Sequence, residues 1–469
     1  MTTPLIHGRD SADPDAGPDL AALTAAVRGP VYDGADPRVA EEAATYNLAV
    51  QHRPAVVVGA TGALDVAAAV SWAAARGMPV AAQATGHGPV TAVEGGMLIT
   101  TTRLSGVEVD PVRRTATVGA GVRWAQVNAA AAPHGLAGVS GSSSQVGVVG
   151  YSLGGGVGSL GREYGFGADH VRRVEIVTAD GRIRLVDADT DPDLFWALRG
   201  AKSNFGVVTS MEIGLVPVTS LYAGAIFFTA ESTRSVLHAF RSWSRTLPEQ
   251  SSTSIALMNL PPLPELPEAL RGRYVVMLRF AHHGSDAVGE SLLAPMRQAG
   301  QVILDGVGRI PYTQADLIHQ DPTDPMPIWE KGALLRELSA DAVEGLVETA
   351  GPEVAPALVM VEVRLLGGAL GRPAPVPNAV AGREGAYTLF TLGVAPPGVD
   401  TGVASAGAAV HERLRPWLTG TCLLNWLGDT HTPAQVAAAW PPEVHGRLMT
   451  VKRAVDPDNL FRYGHALGI

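Results

Sequence analysis

The stretch from 141 to 170, "GSSSQVGVVGYSLGGGVGSLGREYGFGADH", limits what this chain can fold into more than any other. Glycines at 141, 147, 150, 154, 155, 156, 158 and 161 are not there to build helix, because each costs about 1 kcal/mol per helical position relative to alanine. Val146, Val148, Val149, Tyr151 and Leu153 make the same stretch too apolar for an exposed loop. A buried, glycine-rich backbone is expected where main chain turns tightly or comes close to a large bound molecule and offers it N–H groups. Gly156-Val157-Gly158-Ser159-Leu160-Gly161 does fit G-x-G-x-x-G, the dinucleotide-binding spacing. Its context is wrong: the residues before it are themselves glycine-rich, and the chain after it enters a hairpin rather than a crossover helix.

Upstream, Ala55-Val56-Val57-Val58 reads as a strand, 63–76 as a helix stopped by Gly77, and 78–82 as a second strand. That strand–helix–strand unit puts "QATGHGP" on the loop leaving the second strand, with His87 between two glycines. Such a histidine is poor core material and well placed against a large ligand. "VRRVEIVTADGRIRLVDA" reads as a hairpin turning at Asp180-Gly181. "TDPDLFWALRG" reads as a helix capped by Asp191, with Pro192 first and Gly200 at its stop. After Val216-Pro217-Val218 the texture changes. Strands near 222–228, 252–260, 273–282, 357–366, 386–394 and 420–427 alternate with helices near 231–246, 286–299, 340–349 and 403–416. The expected class is α+β. A first domain spans 1–217 (core about 50–217), an inserted domain of antiparallel sheet backed by helices spans 218–428, and 429–469 returns to the first.

Composition narrows the partners. Of 469 residues, 46% are hydrophobic and 17% charged, as in soluble globular proteins. The net charge of −10, with no Lys/Arg cluster, argues against nucleic acid. One cysteine, Cys422, excludes an intrachain disulfide framework and a cysteine-based zinc site, and the His and Asp positions show no metal spacing. No apolar run reaches the roughly 18 residues of a membrane span, and the N-terminal residues lack a basic region followed by an apolar core. A cytoplasmic protein is expected; oligomeric state is left open.

Several segments together resemble the FAD-binding PCMH-type flavoenzymes, specifically the berberine-bridge-enzyme-like branch of the vanillyl-alcohol-oxidase superfamily. They are "RPAVVVGATGALDVAAAVSWAAARGMPVAAQATGHGP", "VRRTATVGAGVRWAQV", "VGVVGYSLGGGVGSLGREYGFGADHV", "VTADG", "DLFWALRGAKSNFGVVT" and "VKRAVDPDNLF". The resemblance implies a two-subdomain FAD domain with FAD as cofactor. Gln83-Ala84-Thr85-Gly86-His87-Gly88 stand where the family has R-G-G-G-H-S, a loop whose N–H groups hold the pyrophosphate and whose histidine is bonded to the flavin 8α carbon. Gln83 and Thr85 depart from that pattern. The family's G-x-C-x-x-V-G corresponds to 141–147, with Ser143 at the position of the cysteine that forms a second tether in many members. Serine cannot form that bond, so the resemblance implies FAD held covalently through His87 alone. Further cofactor-contacting positions implied are Ser142, Ser143, Val146, Gly147, Gly150, Tyr151, Gly154, Gly155, Gly156, Gly158, Val207 and Asn425.

The implied chemistry is oxidation of a small organic substrate, of secondary-metabolite type, by hydride transfer to flavin N5 and release of hydrogen peroxide. A small side chain at Val146, over the isoalloxazine in the family, leaves room for molecular oxygen and so favours an oxidase. Leu423-Leu424-Asn425 replaces the family's Tyr-x-Asn, and a leucine takes no proton. In "ALVMVEVRLLGGAL" the phase Val359, Val361, Val363, Leu365 would pack on helices, which turns Met360, Glu362 and Arg364 to the flavin side. Glu362 is the first candidate base, Arg364 the candidate to bind an anionic or carbonyl oxygen, and Tyr387 the second candidate base. A structural ion pair of Glu362 with Arg364 or Arg279 is the alternative, and His282 and His283 read as surface residues. The missing tyrosine keeps a second function in view, an FAD-binding cyclase or isomerase without net redox turnover.

Overall fold

The computed structural model of the chain describes residues 20–88, 91–354, 357–429 and 432–467. Among them the strands form three sheets. The first holds β1 (Val31–Asp33), β2 (Val56–Gly59), β3 (Val80–Gln83) and β4 (Met97–Thr100), in the order β1-β2-β4-β3. β4 lies between β2 and β3 and runs parallel to both. Every residue of β2 and β4 is buried, which is why Val-Val-Val and Met-Leu-Ile show no polar alternation. The helix Ala63–Ala74 joins β2 to β3, so the expected strand–helix–strand unit is present and the His87 loop leaves the carboxyl end of β3.

The second sheet is antiparallel: β5 (Val107–Asp110), β6 (Thr115–Gly119), β7 (Val171–Val177), β8 (Ile183–Val186) and β9 (Val207–Gly214), in the order β5-β6-β9-β7-β8. β7 and β8 form the expected hairpin, with Gly181 at φ +72°. The helix Pro192–Ala201 is capped as its sequence requires, the Asp191 side chain accepting from the Leu194 N–H.

The third sheet is the largest, with eight strands: β10 (Ser220–Phe228), β11 (Ser251–Asn259), β12 (Tyr274–His282), β13 (Val302–Asp305), β14 (Gly308–Pro311), β15 (Ile328–Leu335), β16 (Met360–Leu365) and β17 (Tyr387–Val394). Its order is β13-β10-β12-β11-β16-β17-β15, with β14 beside β10. The helices Thr233–Trp243, Asp286–Arg297, Ala340–Ala350 and Val403–Leu414 cover one face, where Ile226, Leu278, Val363 and Leu389 meet Phe240, Leu293, Leu346 and Val410. The fold is α+β, and the opposite face of this sheet is left to meet the rest of the chain.

One expected strand is absent. Residues 420–427 are irregular, with a short 3-10 turn at Leu424–Trp426. Leu423 is buried with Leu334 and Phe166, while Leu424 joins the separate core around Trp124. An apolar run buried on two sides mimics a strand in sequence. At the C-terminus, the helix Pro442–Val455 is tied back through Lys452, whose Nζ donates to Asn204 O (2.8 Å), Asp456 Oδ2 (2.6 Å) and Phe461 O (2.9 Å).

Candidate active site

The loop after β3 is fastened before it presents anything. Gly86 sits at φ +67°, and a Cβ there would come within 2.7 Å of Thr45 Cα. Its carbonyl accepts from the Tyr46 and Asn47 N–H groups at 3.0 and 3.2 Å. Tyr46 then stacks on the His87 ring, centroids 4.2 Å apart and planes 10° from parallel. His87 Nδ1 shares a 2.8 Å hydrogen bond with Thr85 Oγ1, so Thr85 orients the ring. Burial, reinforced by the Arg123 charge, pushes the imidazole down to about 4, which leaves it neutral. Gln83 requires a correction: its side chain turns away from the loop to His52 Nε2 (2.9 Å) and to the Ala44 carbonyl (2.9 Å). As the last residue of β3 it has one face inward, and there it anchors the 43–52 segment. Ala84 and Thr85 approach Gly147 on the neighbouring loop, and Gly88 is exposed.

That neighbouring loop is held from two sides. Arg123 Nη1 donates to the Gln145 carbonyl at 2.6 Å, and Asp316 accepts from Ser144 N (2.8 Å) and Oγ (2.6 Å). Ser142, Ser143 and Val146 are half-buried on it, and Gly147 precedes the short helix Val148–Leu153. Within that helix Gly150 is exposed, with nothing within 4 Å of where a Cβ would be. No contact inside the chain asks for glycine there.

Other members of the block are glycines for an internal reason. A Cβ at 141 or 167 would lie 2.9 or 2.8 Å from the Tyr151 ring, and one at 156 would overlap it. A Cβ at 158 would overlap the Ser140 carbonyl oxygen, and Gly155 turns at φ +106°. Tyr151 is buried beneath the block, edge-on to Trp124 with centroids 5.4 Å apart. Tyr151, Gly156 and Gly158, expected as ligand contacts, therefore have a packing role. So does Val207, which lies in the core beneath the first sheet.

Gly154 has a different neighbour. A Cβ there would overlap the Asn425 side chain and meet Lys202 Cε at 2.6 Å. Asn425 Nδ2 donates to the Tyr151 carbonyl at 2.8 Å, which holds the side chain in that place. Lys202 itself sits at φ +55° and makes no hydrogen bond or ion pair among the described residues. Its Nζ lies 3.7 Å from the Cβ position of Gly88. Burial lowers Lys202 to about 8, and burial raises Glu330 on β15 to about 7, each offset by the other's charge. Sequence reading missed both; a lysine at a left-handed position inside a glycine-rich run was the available signal.

Over these loops lies the helix-free face of the large sheet. The register sets Arg279 (β12), Ser254 (β11), Arg364 (β16) and Thr388 (β17) abreast in one row. In the next row Glu362 stands between Ala256 and Phe390. Glu362 accepts from Arg279 Nη1 at 2.8 Å and from Arg364 Nη2 at 3.1 Å. Arg364 also lies over the Trp426 ring, 4.8 Å from its centroid. A cleft opens here, lined by Gly158, Ser159, Ser254, Arg279, His319 and Arg364 among others.

The electrostatics assign roles. Burial raises the Glu362 carboxyl, but the Arg364 and Arg279 guanidiniums outweigh it and hold it well below the usual carboxylate range. Glu362 is thus the centre of an ion pair and a weak proton acceptor, a correction to the expected base. His319 was not foreseen, since "DLIHQDP" carries no periodic signal. Burial, then the same two guanidiniums, press its pKa well below the ordinary value, so it is neutral, and no hydrogen bond engages its ring among the described residues. Tyr387 is also corrected. It pairs with Leu365 and so shares the helix-covered face, where its hydroxyl meets Ser244 Oγ at 2.9 Å. His282 is buried against Ser251, and His283 meets Glu163 at 2.9 Å, so neither is a free surface group.

Residues 54–187 match the FAD binding domain family, and residues 429–468 match the family of berberine and berberine-like proteins. (R)-6-Hydroxynicotine oxidase of Paenarthrobacter nicotinovorans is 28% identical over 433 residues, 88% of this chain and 91% of its own length. The crystal structure of 6-hydroxy-D-nicotine oxidase from Arthrobacter nicotinovorans superposes with a TM-score of 0.81 at 25% identity, covering 94% of this chain and 98% of that one. Xylooligosaccharide oxidase from Myceliophthora thermophila shares the fold, with a TM-score of 0.81 at 20% identity over 95% and 98% of the two chains. The site's chemistry fits FAD. A neutral, oriented imidazole stands at one loop, the glycines at 88 and 150 are open to close approach, and the Lys202 ammonium, in no close ion pair among the described residues, lies beside Gly88. The chain is an FAD-linked oxidoreductase that carries an FAD binding domain over residues 54–187 and a berberine-like segment over residues 429–468.

Proposed function

We propose that this enzyme is an oxidase that holds FAD through one covalent bond, from His87, and oxidises a small organic molecule seated against the Arg279–Glu362–Arg364 cluster. When bound, FAD supplies the hydride acceptor and passes two electrons to molecular oxygen, giving hydrogen peroxide. The observation that carries the single tether is His87 itself: a neutral ring fixed through Nδ1 by Thr85 and stacked by Tyr46, with no partner at Nε2 among the described residues. Among the described residues no thiol stands ready as a second tether. Ser143 occupies the position of the second-tether cysteine, and burial pushes the Cys422 thiol up to about 12, which keeps it protonated. The (R)-6-hydroxynicotine oxidase relative supports a small organic substrate.

The chain's own residues then divide the work. Arg364 and Arg279 bind and orient, and Glu362 keeps the two guanidiniums side by side. His319, uncharged and lining the same cleft, is the group placed to take a proton from substrate. Asn425, pinned to the Tyr151 carbonyl, offers its amide oxygen beside Gly154.

The test is acid precipitation of the holoenzyme beside its His87→Ala variant. Yellow colour stays with wild-type protein and leaves with the supernatant of the variant. Release from wild type, or retention by the variant, overturns the tether. Oxygen uptake in step with substrate loss separates the oxidase from a cyclase or isomerase, which consumes none.

A further inference from the structure

We infer that the substrate is a carboxylic acid, received as its carboxylate by the guanidiniums of Arg364 and Arg279 in the row that crosses β12, β11, β16 and β17. This rests on the reading of the cleft as the substrate site and names the class of molecule it takes.

The first observation is an imbalance of charge. Arg279 and Arg364 are both buried, and the one carboxylate between them is Glu362. His319 beside them is neutral. Arg162 also lines the cleft, but it is spent on the carbonyls of Ser251, Leu247 and Leu366. A positive charge is left over in a place where an unpaired charge is costly.

The second observation is a set of donors with nothing to meet. The Nε atoms of Arg279 and Arg364 and the hydroxyls of Ser254 and Thr388 are buried without a hydrogen-bond partner among the described residues. Native proteins satisfy nearly all such groups, and here four fall in one row of one sheet. Arg364 gives only Nη2 to Glu362. A planar guanidinium edge with free N–H groups matches the two oxygens of a carboxylate.

The third observation concerns what the row lacks. The guanidiniums can only donate, and the one carboxylate beside them, Glu362, is already engaged by both arginines, so the charge left over favours an anion over a sugar or simple alcohol. A bound carboxylate would also cancel the Arg364 and Arg279 charge that, after burial, holds the His319 pKa down. The acid therefore raises the basicity of the group that is to take its proton.

The test uses non-oxidisable probes on the holoenzyme, following flavin absorbance. Acetate and benzoate are titrated beside acetamide and benzamide at one pH. The acids are expected to bind at least tenfold more tightly than the amides. Arg364→Gln removes that preference, while Arg364→Lys keeps part of it. Thr388→Val, which removes no charge, weakens acid binding more than amide binding, and serves if Arg364→Gln does not fold. Equal binding of acid and amide, or a preference that survives Arg364→Gln, overturns the proposal. Because no probe is oxidised, the result does not depend on oxidase turnover. An enzyme that consumes oxygen with a neutral substrate and ignores both acids would sink this proposal and leave the oxidase reading standing.

Discussion

A glycine says that something comes close, and not what. In the 141–170 block the density of glycine was legible, and so was the buried, loop-like backbone it demanded. The partners were not legible, because the Tyr151 ring and the Ser140 carbonyl reach Gly156 and Gly158 only through the fold. Two positions separate the meanings. Gly158→Ala forces a Cβ onto the Ser140 carbonyl oxygen, so backbone must move. A loss of about 2–3 kcal/mol, as for other overpacked sites, and a lower flavin content are expected. Gly150→Ala meets nothing within 4 Å and sits inside a helix, so the apoprotein gains up to about 1 kcal/mol. Urea unfolding of the flavin-free variants reads both. If Gly150→Ala lowers flavin content while raising apoprotein stability, the open side of Gly150 is the side the cofactor approaches.

At the level of elements, strand period was the reliable guide and strand phase the weak one. The alternation in β16 put Val361, Val363 and Leu365 on the helices and Glu362 and Arg364 on the other face, as the structure has them. Tyr387 went to the wrong face because sequence does not say which residue of β17 pairs with which of β16; the register Leu365↔Tyr387 decides it. A shift of one residue moves every side chain across the sheet. The missed His319 and Lys202 lie on short turns, where no period exists to read. The faces predict a clean separation of effects. Tyr387→Phe removes the bond to Ser244 from the helix-side core and costs about 1 kcal/mol of stability. Flavin content and substrate oxidation stay at wild-type values. A loss of turnover in the folded variant would return Tyr387 to the cleft.

For the whole molecule, the property that unites the three sheets is a population of histidines kept neutral by burial. His52 and His87 are held below their ordinary pKa near the first sheet, His170 at the start of β7 in the second, His282, His319 and His411 at the large one, and His465 in the C-terminal segment. An unfolded histidine titrates at about 6.5. Each of these groups has a folded value below that, so between the two values the unfolded chain binds more protons than the folded one. Stability is then full above the unfolded value and falls as the pH drops through it toward the folded value. His411, buried on the helix Val403–Leu414 and held near 4, alone removes about 2 kcal/mol between pH 7.5 and pH 5. The depressed carboxyls of Glu42 and Asp65 act in the same direction, but only as the pH falls toward 4 and below. Acid should therefore unfold this protein in the histidine range first, well before its carboxylates are protonated. Urea midpoints at pH 7.5 and pH 5 measure it, with His411→Asn as the control. The wild-type midpoint should fall sharply between the two, and the variant should lose less over the same interval, having no ring to protonate. Equal midpoints at both pH values would mean that the buried rings titrate as freely folded as unfolded, and that water reaches them.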